Sequence, residues 1–221
     1  SLRPSYIKDV SADVMGMIIA GILIYSLAHD KPWDKQNRAF FRLVFVLGLL
    51  FHFDAVSGFM EGSSDNVDAI RFINTAVMIF EAFMAYCFWA YIREEMKVEK
   101  ILVPITNVIC KAVVIIDLIV CIINCKFNIL FSINENGEYL TGKFAGLYEI
   151  TKVIIYAVVL FVILEDKERS NKERGILLTF LIFPIISHMW VYLFDNYASI
   201  YPMYLFSVML IYINVFATRS R

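Results

Sequence analysis

Apolar stretches alternate with short polar connections along the whole chain. They run approximately over Asp13–Leu27, Ala39–Phe59, Val67–Ile92, Ile101–Ile123, Phe144–Leu164, Gly175–Phe194 and Tyr201–Ala217. A helix of about 20 apolar residues crosses the roughly 30 Å hydrocarbon core of a bilayer. The pattern therefore predicts an all-α integral membrane protein, a seven-transmembrane helix bundle. The first stretch is the shortest and must draw part of its reach from Asp9 onward.

The connections carry charge asymmetrically. Lys31, Lys35 and Arg38 follow the first stretch; Arg93, Lys97 and Lys100 follow the third. Lys167, Arg169, Lys172 and Arg174 follow the fifth, and Arg219 and Arg221 follow the last. The intervening connections, Glu61–Asn66 and Asn196–Ile200, carry no Lys or Arg, and the long one between the fourth and fifth stretches carries only Lys126 and Lys143. Basic residues in short loops stay on the cytoplasmic side. This predicts the N-terminus outside, the C-terminus in the cytoplasm and residence in the plasma membrane.

Composition agrees with a bilayer partner: 60% of residues are hydrophobic and the mean hydropathy is +0.68. The net charge of −1 says little, because the charges are sorted by side. The N-terminus lacks the basic region, short apolar core and small-residue site of a cleavable signal. The cysteines at 87, 110, 121 and 125 read as small apolar packing residues. No Cys or His spacing suggests zinc, so neither metal nor cofactor is expected, and no nucleic-acid partner. Membrane helices and connections use up the chain, 1–221, as a single domain, which leaves no room for a soluble catalytic domain.

The connection from Lys126 to Phe144 is different. Apolar and aromatic residues alternate on both sides of Asn134-Glu135-Asn136-Gly137, which predicts a β-hairpin. On the topology above it is extracellular, lying between helices 4 and 5.

Polar residues inside the stretches gather toward the hairpin end. His52 and Asp54 lie on the second stretch, Asn74 on the third, Asp117 on the fourth, Glu149 and Lys152 on the fifth, and His188 on the sixth, with Asp195 at its end. Glu149 and Lys152 are spaced to pair on one helix face. Charged side chains in a bilayer core face protein or water, so the cluster predicts either an outward-facing ligand pocket or a set of internal hydrogen bonds and ion pairs that fix helix packing. Phe51, Tyr148, Trp190 and Tyr204 are expected to supply apolar walls of the kind such pockets have. The mixed charges favour an amphiphilic or zwitterionic small molecule. Glu81 and Lys111 fall at similar depth on the third and fourth stretches and are expected to form a structural ion pair.

Other seven-helix chemistries are excluded residue by residue. The last stretch, YPMYLFSVMLIYINVFA, has no lysine for a retinal Schiff base, and the third ends in AYIREEM rather than Asp-Arg-Tyr. No inverted repeat of the kind transporters use is evident. The segment FHFDAVSGFMEG carries an Asp-Ala-x-x-x-x-x-x-Gly pattern, and LFSINENGEYLTGKFAGLYEI resembles Phe-x-Ile-Asp-Glu-Asn-Gly-x-Tyr-x-Arg-Gly-Pro, with Asn134 in place of the Asp and Thr141-Gly142-Lys143 in place of the last three. With the proline-containing LLTFLIFPIISHMWVYLF, these segments resemble the seven-transmembrane sensory region of Firmicute membrane diguanylate cyclases and related histidine kinases. The resemblance implies a non-enzymatic input domain for signal transduction. It would bind an extracellular small molecule and act through helix 7 on a cytoplasmic diguanylate cyclase or kinase domain beyond residue 221, working as a homodimer. A small-solute transporter or channel is the alternative.

Overall fold

The computed structural model describes residues 4–29, 33–96, 102–194 and 200–216, with side chains at 10–214 within those ranges. Lys31, Lys97, Lys100, Ile101, Asp195, Asn196, Ala217, Arg219 and Arg221, named above, lie outside them. Helices dominate: α1 (Pro4–His29), α2 (Lys35–Met60), α3 (Val67–Glu95), α4 (Leu102–Phe127), α5 (Ala145–Glu165), α6 (Asn171–Phe194) and α7 (Ile200–Ile211). Among the described residues, six helices are long and apolar enough to cross a membrane. The chain is thus an all-α, multi-pass membrane bundle. The last helix is shorter: its apolar run covers Ile200–Asn214, and its end, Tyr212–Phe216, widens into a π-helical turn.

Helices α1, α2, α3, α4 and α6 extend past their apolar stretches at one end or both, because the backbone ladder continues wherever capping permits. Before α2, Asp34 accepts the Asn37 backbone N–H at 2.7 Å, so the helix begins at Lys35 rather than at the first apolar residue. Consecutive helices pack side by side. Helix α3 also packs on α5, and α7 closes the bundle against α1 and α2. Burial follows helical period. On α4 it is Cys110, Val114, Asp117, Cys121 and Asn124 that turn inward, while Val108, Ile115, Ile119 and Ile122 are exposed.

Pro184 sits inside α6. It has no N–H for the carbonyl of Phe180 four residues back. The Ser207 hydroxyl of α7 donates to that carbonyl at 2.6 Å, so the defect in one helix becomes a bond to the next.

Between α4 and α5, strands β1 (Phe131–Ile133) and β2 (Tyr139–Thr141) pair antiparallel, with Phe131 opposite Thr141 and Ile133 opposite Tyr139. Asn134 builds the turn. Its carbonyl accepts the Gly137 N–H, and its side-chain oxygen accepts the N–H groups of Asn136 and Glu138. Gly137 is left-handed, at φ 76°. The Asn124 side chain at the end of α4 accepts the N–H groups of Leu130 and Phe131. Leu130, Phe131 and Ile133 bury against Ile70, Met78, Cys121 and Tyr148. The hairpin also bonds to the α2–α3 turn: Gly62 N–H donates to Gly137 O at 2.9 Å, and Tyr139 N–H to Glu61 Oε1 at 3.3 Å. It therefore caps one end of α3, α4 and α5.

Candidate functional site

Beneath that cap, polar side chains from five helices converge. Helical spacing decides which of them meet. On α5, Tyr148, Glu149, Lys152, Ile155 and Tyr156 form the buried stripe. From α4 comes Asp117, from α6 His188, from α3 Glu81, and from α7 Tyr201 and Tyr204. Asp117, Glu149, Lys152 and His188 are each at most 1% exposed.

Two linked groups make up the site. In the first, the Lys152 ammonium donates to the Tyr148 carbonyl at 2.8 Å and stands 3.6 Å from Asp117 Oδ2. Thr151 donates to the same carboxylate oxygen at 3.0 Å. Tyr148 turns its hydroxyl toward α3 and donates to the Met78 carbonyl at 2.6 Å. In the second, His188 Nδ1 lies 2.6 Å from Glu149 Oε2, and its Nε2 lies 2.7 Å from the Tyr204 hydroxyl. Tyr204 in turn hydrogen-bonds the Tyr156 hydroxyl. Glu81 accepts from Tyr201 at 2.8 Å. Asp54, half-buried on α2, lies within electrostatic reach of Tyr201.

Three carboxyl groups here face one lysine and one imidazole. Two of their oxygens, Asp117 Oδ1 and Glu149 Oε1, are buried without a hydrogen-bond partner among the described residues. A buried acceptor left unbonded costs about 1–3 kcal/mol, so the site as built has capacity for a further donor. No group of three or more His, Cys, Asp or Glu among the described residues has the geometry to hold a metal ion.

The arrangement departs from the sequence expectations in definite ways. Asp117, Tyr148, Glu149, Lys152, His188 and Tyr204 do come together, but they are shut from solvent rather than lining an open cavity. Glu149 and Lys152 do not pair with each other; each takes a partner from a neighbouring helix. The expected Glu81–Lys111 pair does not form. Lys111 is exposed, one residue off the buried stripe that carries Cys110, and a helix turns about 100° per residue. His52 is exposed for the same reason, being next to the buried Phe51, and its ring meets Phe53. Trp190 is two residues past His188, so it faces outward onto Phe194. Asn74 bonds to Ser57 Oγ and to the Ile70 carbonyl, fastening α3 to α2 away from the lysine.

Sequence reasoning missed Thr151, Tyr156 and Tyr201 as members of the network. Tyr156 and Tyr201 read as ordinary aromatics of apolar helices. Their helical registers with Tyr148 and Tyr204 were the available signal. No family model, curated protein or solved structure matches the chain.

Proposed function

We propose that the chain is the signal-input region of a membrane receptor. The bundle spans the plasma membrane seven times, with the N-terminus outside, the hairpin extracellular and the C-terminus cytoplasmic. An extracellular small molecule with a cationic or zwitterionic group is received beneath the hairpin. It shifts α3 to α7 between two arrangements, and α7 passes the change to a cytoplasmic diguanylate cyclase or kinase domain acting as a homodimer. The observation that supports this most is the cluster itself. Ionisable groups inside a membrane are costly and mark function, and here two carboxylate oxygens remain unmatched at the point where five helices meet. Because the cluster is closed from solvent, a ligand must displace the hairpin to reach it. It can shift the helices only by binding one arrangement better than the other.

A set of choline, glycine betaine and the common amino acids, added to the chain in lipid nanodiscs, tests the receptor reading by thermal shift. At least one is expected to raise the midpoint of the native bundle and to lose that effect in Asp117→Asn. Catalysed flux of the same solutes into proteoliposomes would favour a transporter instead. No shift and no flux with any of them would count against a ligand site of this chemistry.

The topology has its own test. After replacement of the native cysteines at 87, 110, 121 and 125, a cysteine at Ser64 or Asn136 should react with an impermeant maleimide in intact cells. One at Ser170 should react only after the cells are opened. All three positions are exposed, so reactivity reports side and not burial. The opposite pattern would invert the orientation.

A further inference from the structure

The hairpin end of the bundle has acceptors to spare; toward the other end the surplus is of donors. There the Asn107 side-chain oxygen of α4 receives three donors from α3: Trp89 Nε1 at 3.3 Å, Arg93 Nη1 at 3.3 Å and the Tyr86 hydroxyl at 3.4 Å. A carbonyl oxygen has two lone pairs, so it is shared among more donors than it can serve. Arg93 also donates to Glu94 at 3.0 Å, and its side chain is still 33% exposed. One helical turn further along α4, Lys111 is exposed and has no ion pair or hydrogen bond among the described residues. We propose that Arg93 and Lys111 hold the phosphate of an anionic phospholipid in the groove between α3 and α4. The site rests on α4 crossing the membrane and not on the receptor reading.

Helix geometry brings the two cations together. Asn107 and Lys111 are four residues apart and share one face of α4. A helical Cβ leans toward the helix N-terminus, so the Lys111 stem runs back over Asn107, where Arg93 is anchored.

Depth decides what can reach them. Helix α4 has 26 residues, about 39 Å at 1.5 Å per residue, against a hydrocarbon core of roughly 30 Å. Centred, it overhangs by about three residues at each end, which puts the Lys111 backbone roughly 9 Å inside the boundary. A charge at that depth is costly unless it meets protein or water. A lysine relieves the cost by laying its stem along apolar surface and sending its ammonium to the headgroups. The surface here is apolar: Phe83, Val108, Ile115 and Ile119 are all exposed. A soluble anion would have to cross hydrocarbon to arrive. A lipid brings its phosphate from the adjacent leaflet, and its acyl chains cover the isoleucines. In the orientation proposed above this is the cytoplasmic leaflet, which carries the anionic lipids. Two cations against the Glu94 carboxylate also favour an anionic headgroup over a zwitterionic one, whose own ammonium would meet Arg93 and Lys111.

Native mass spectrometry tests this on the whole chain released from micelles holding equal amounts of phosphatidylglycerol and phosphatidylcholine. One phosphatidylglycerol is expected to be retained on the order of tenfold better than phosphatidylcholine. Lys111→Gln should cut that preference roughly fivefold, and Lys111→Arg should keep it. Arg93→Gln should cut it as well. Lys111 faces outward, so its variants keep the fold and decide the matter even if Arg93→Gln, which frees Asn107, does not. Lys126→Gln, at the opposite end of α4, should leave the preference unchanged. Equal retention of the two lipids would overturn the proposal, as would a loss in Lys126→Gln as large as that in Lys111→Gln. A preference that survives Lys111→Gln would also overturn it and would point to an acidic residue on another membrane helix as the partner of this lysine. Abolition of the preference by millimolar inorganic phosphate would mark a soluble-anion site instead and sink the lipid assignment.

Discussion

Lys152→Met is expected to destabilise the bundle by about 3–5 kcal/mol. Lys152 is fully buried and is the cation facing Asp117, 3.6 Å from Oδ2. Without it, Asp117 retains only the Thr151 hydroxyl and stays 1% exposed, and the Tyr148 carbonyl loses a donor. An uncompensated carboxylate is what makes the loss large, so pairing Lys152→Met with Asp117→Asn should recover most of it. Equilibrium unfolding in mixed micelles measures the cycle. Additive single-mutant losses would mean that the lysine does not act through Asp117. Lys111→Met, on the exposed face of α4, should change stability little. The two lysines look equally out of place in the sequence and differ entirely in consequence.

The second large effect belongs to Gly137. Gly137→Val is expected to unseat the hairpin at a local cost of about 3 kcal/mol or more. Two causes add. The residue is left-handed at φ 76°, which a β-branched side chain resists. A Cβ there would also stand 2.6 Å from the Ser63 carbonyl oxygen, a backbone atom that cannot swing aside. Hydrogen exchange should then rise at the amides of Gly137, Tyr139 and Gly142, which the seated hairpin protects, while α1 and the inner parts of α2 stay unchanged. If exchange stays slow at those amides, the turn does not hold the cap in place. Because the hairpin covers Met78, Cys121 and Tyr148, unseating it should also open the buried cluster to solvent.

The membrane-bundle architecture was legible in the chain because it depends on quantities that accumulate along sequence. Hydropathy over about 20 residues is enough to mark a spanning helix, since no other open structure satisfies its backbone in lipid. Asn134 and Gly137 could likewise be read locally, because a turn is set by the φ and hydrogen-bonding habits of a few adjacent residues. The concentration of polar residues at the hairpin end was visible for the same reason: depth along a helix is position times rise.

What depth cannot supply is rotation. Glu81 and Lys111 share a depth, yet one faces Tyr201 inside the bundle and the other faces outward. His52 and Trp190 share the depth of the cluster and point away from it. The rotation of each helix about its axis is set by which face its neighbours bury, a sum over contacts from residues distant in sequence. Partner choice was decided the same way. Glu149 and Lys152 are one turn apart and suited to each other by spacing, but α6 brings His188 to the first and α4 brings Asp117 to the second. A neighbouring helix can deliver a partner deep in the core, and here it does so for both residues. The sequence by itself therefore determined that charged groups would sit at one level of a membrane bundle, and only the tertiary packing decided which of them touch.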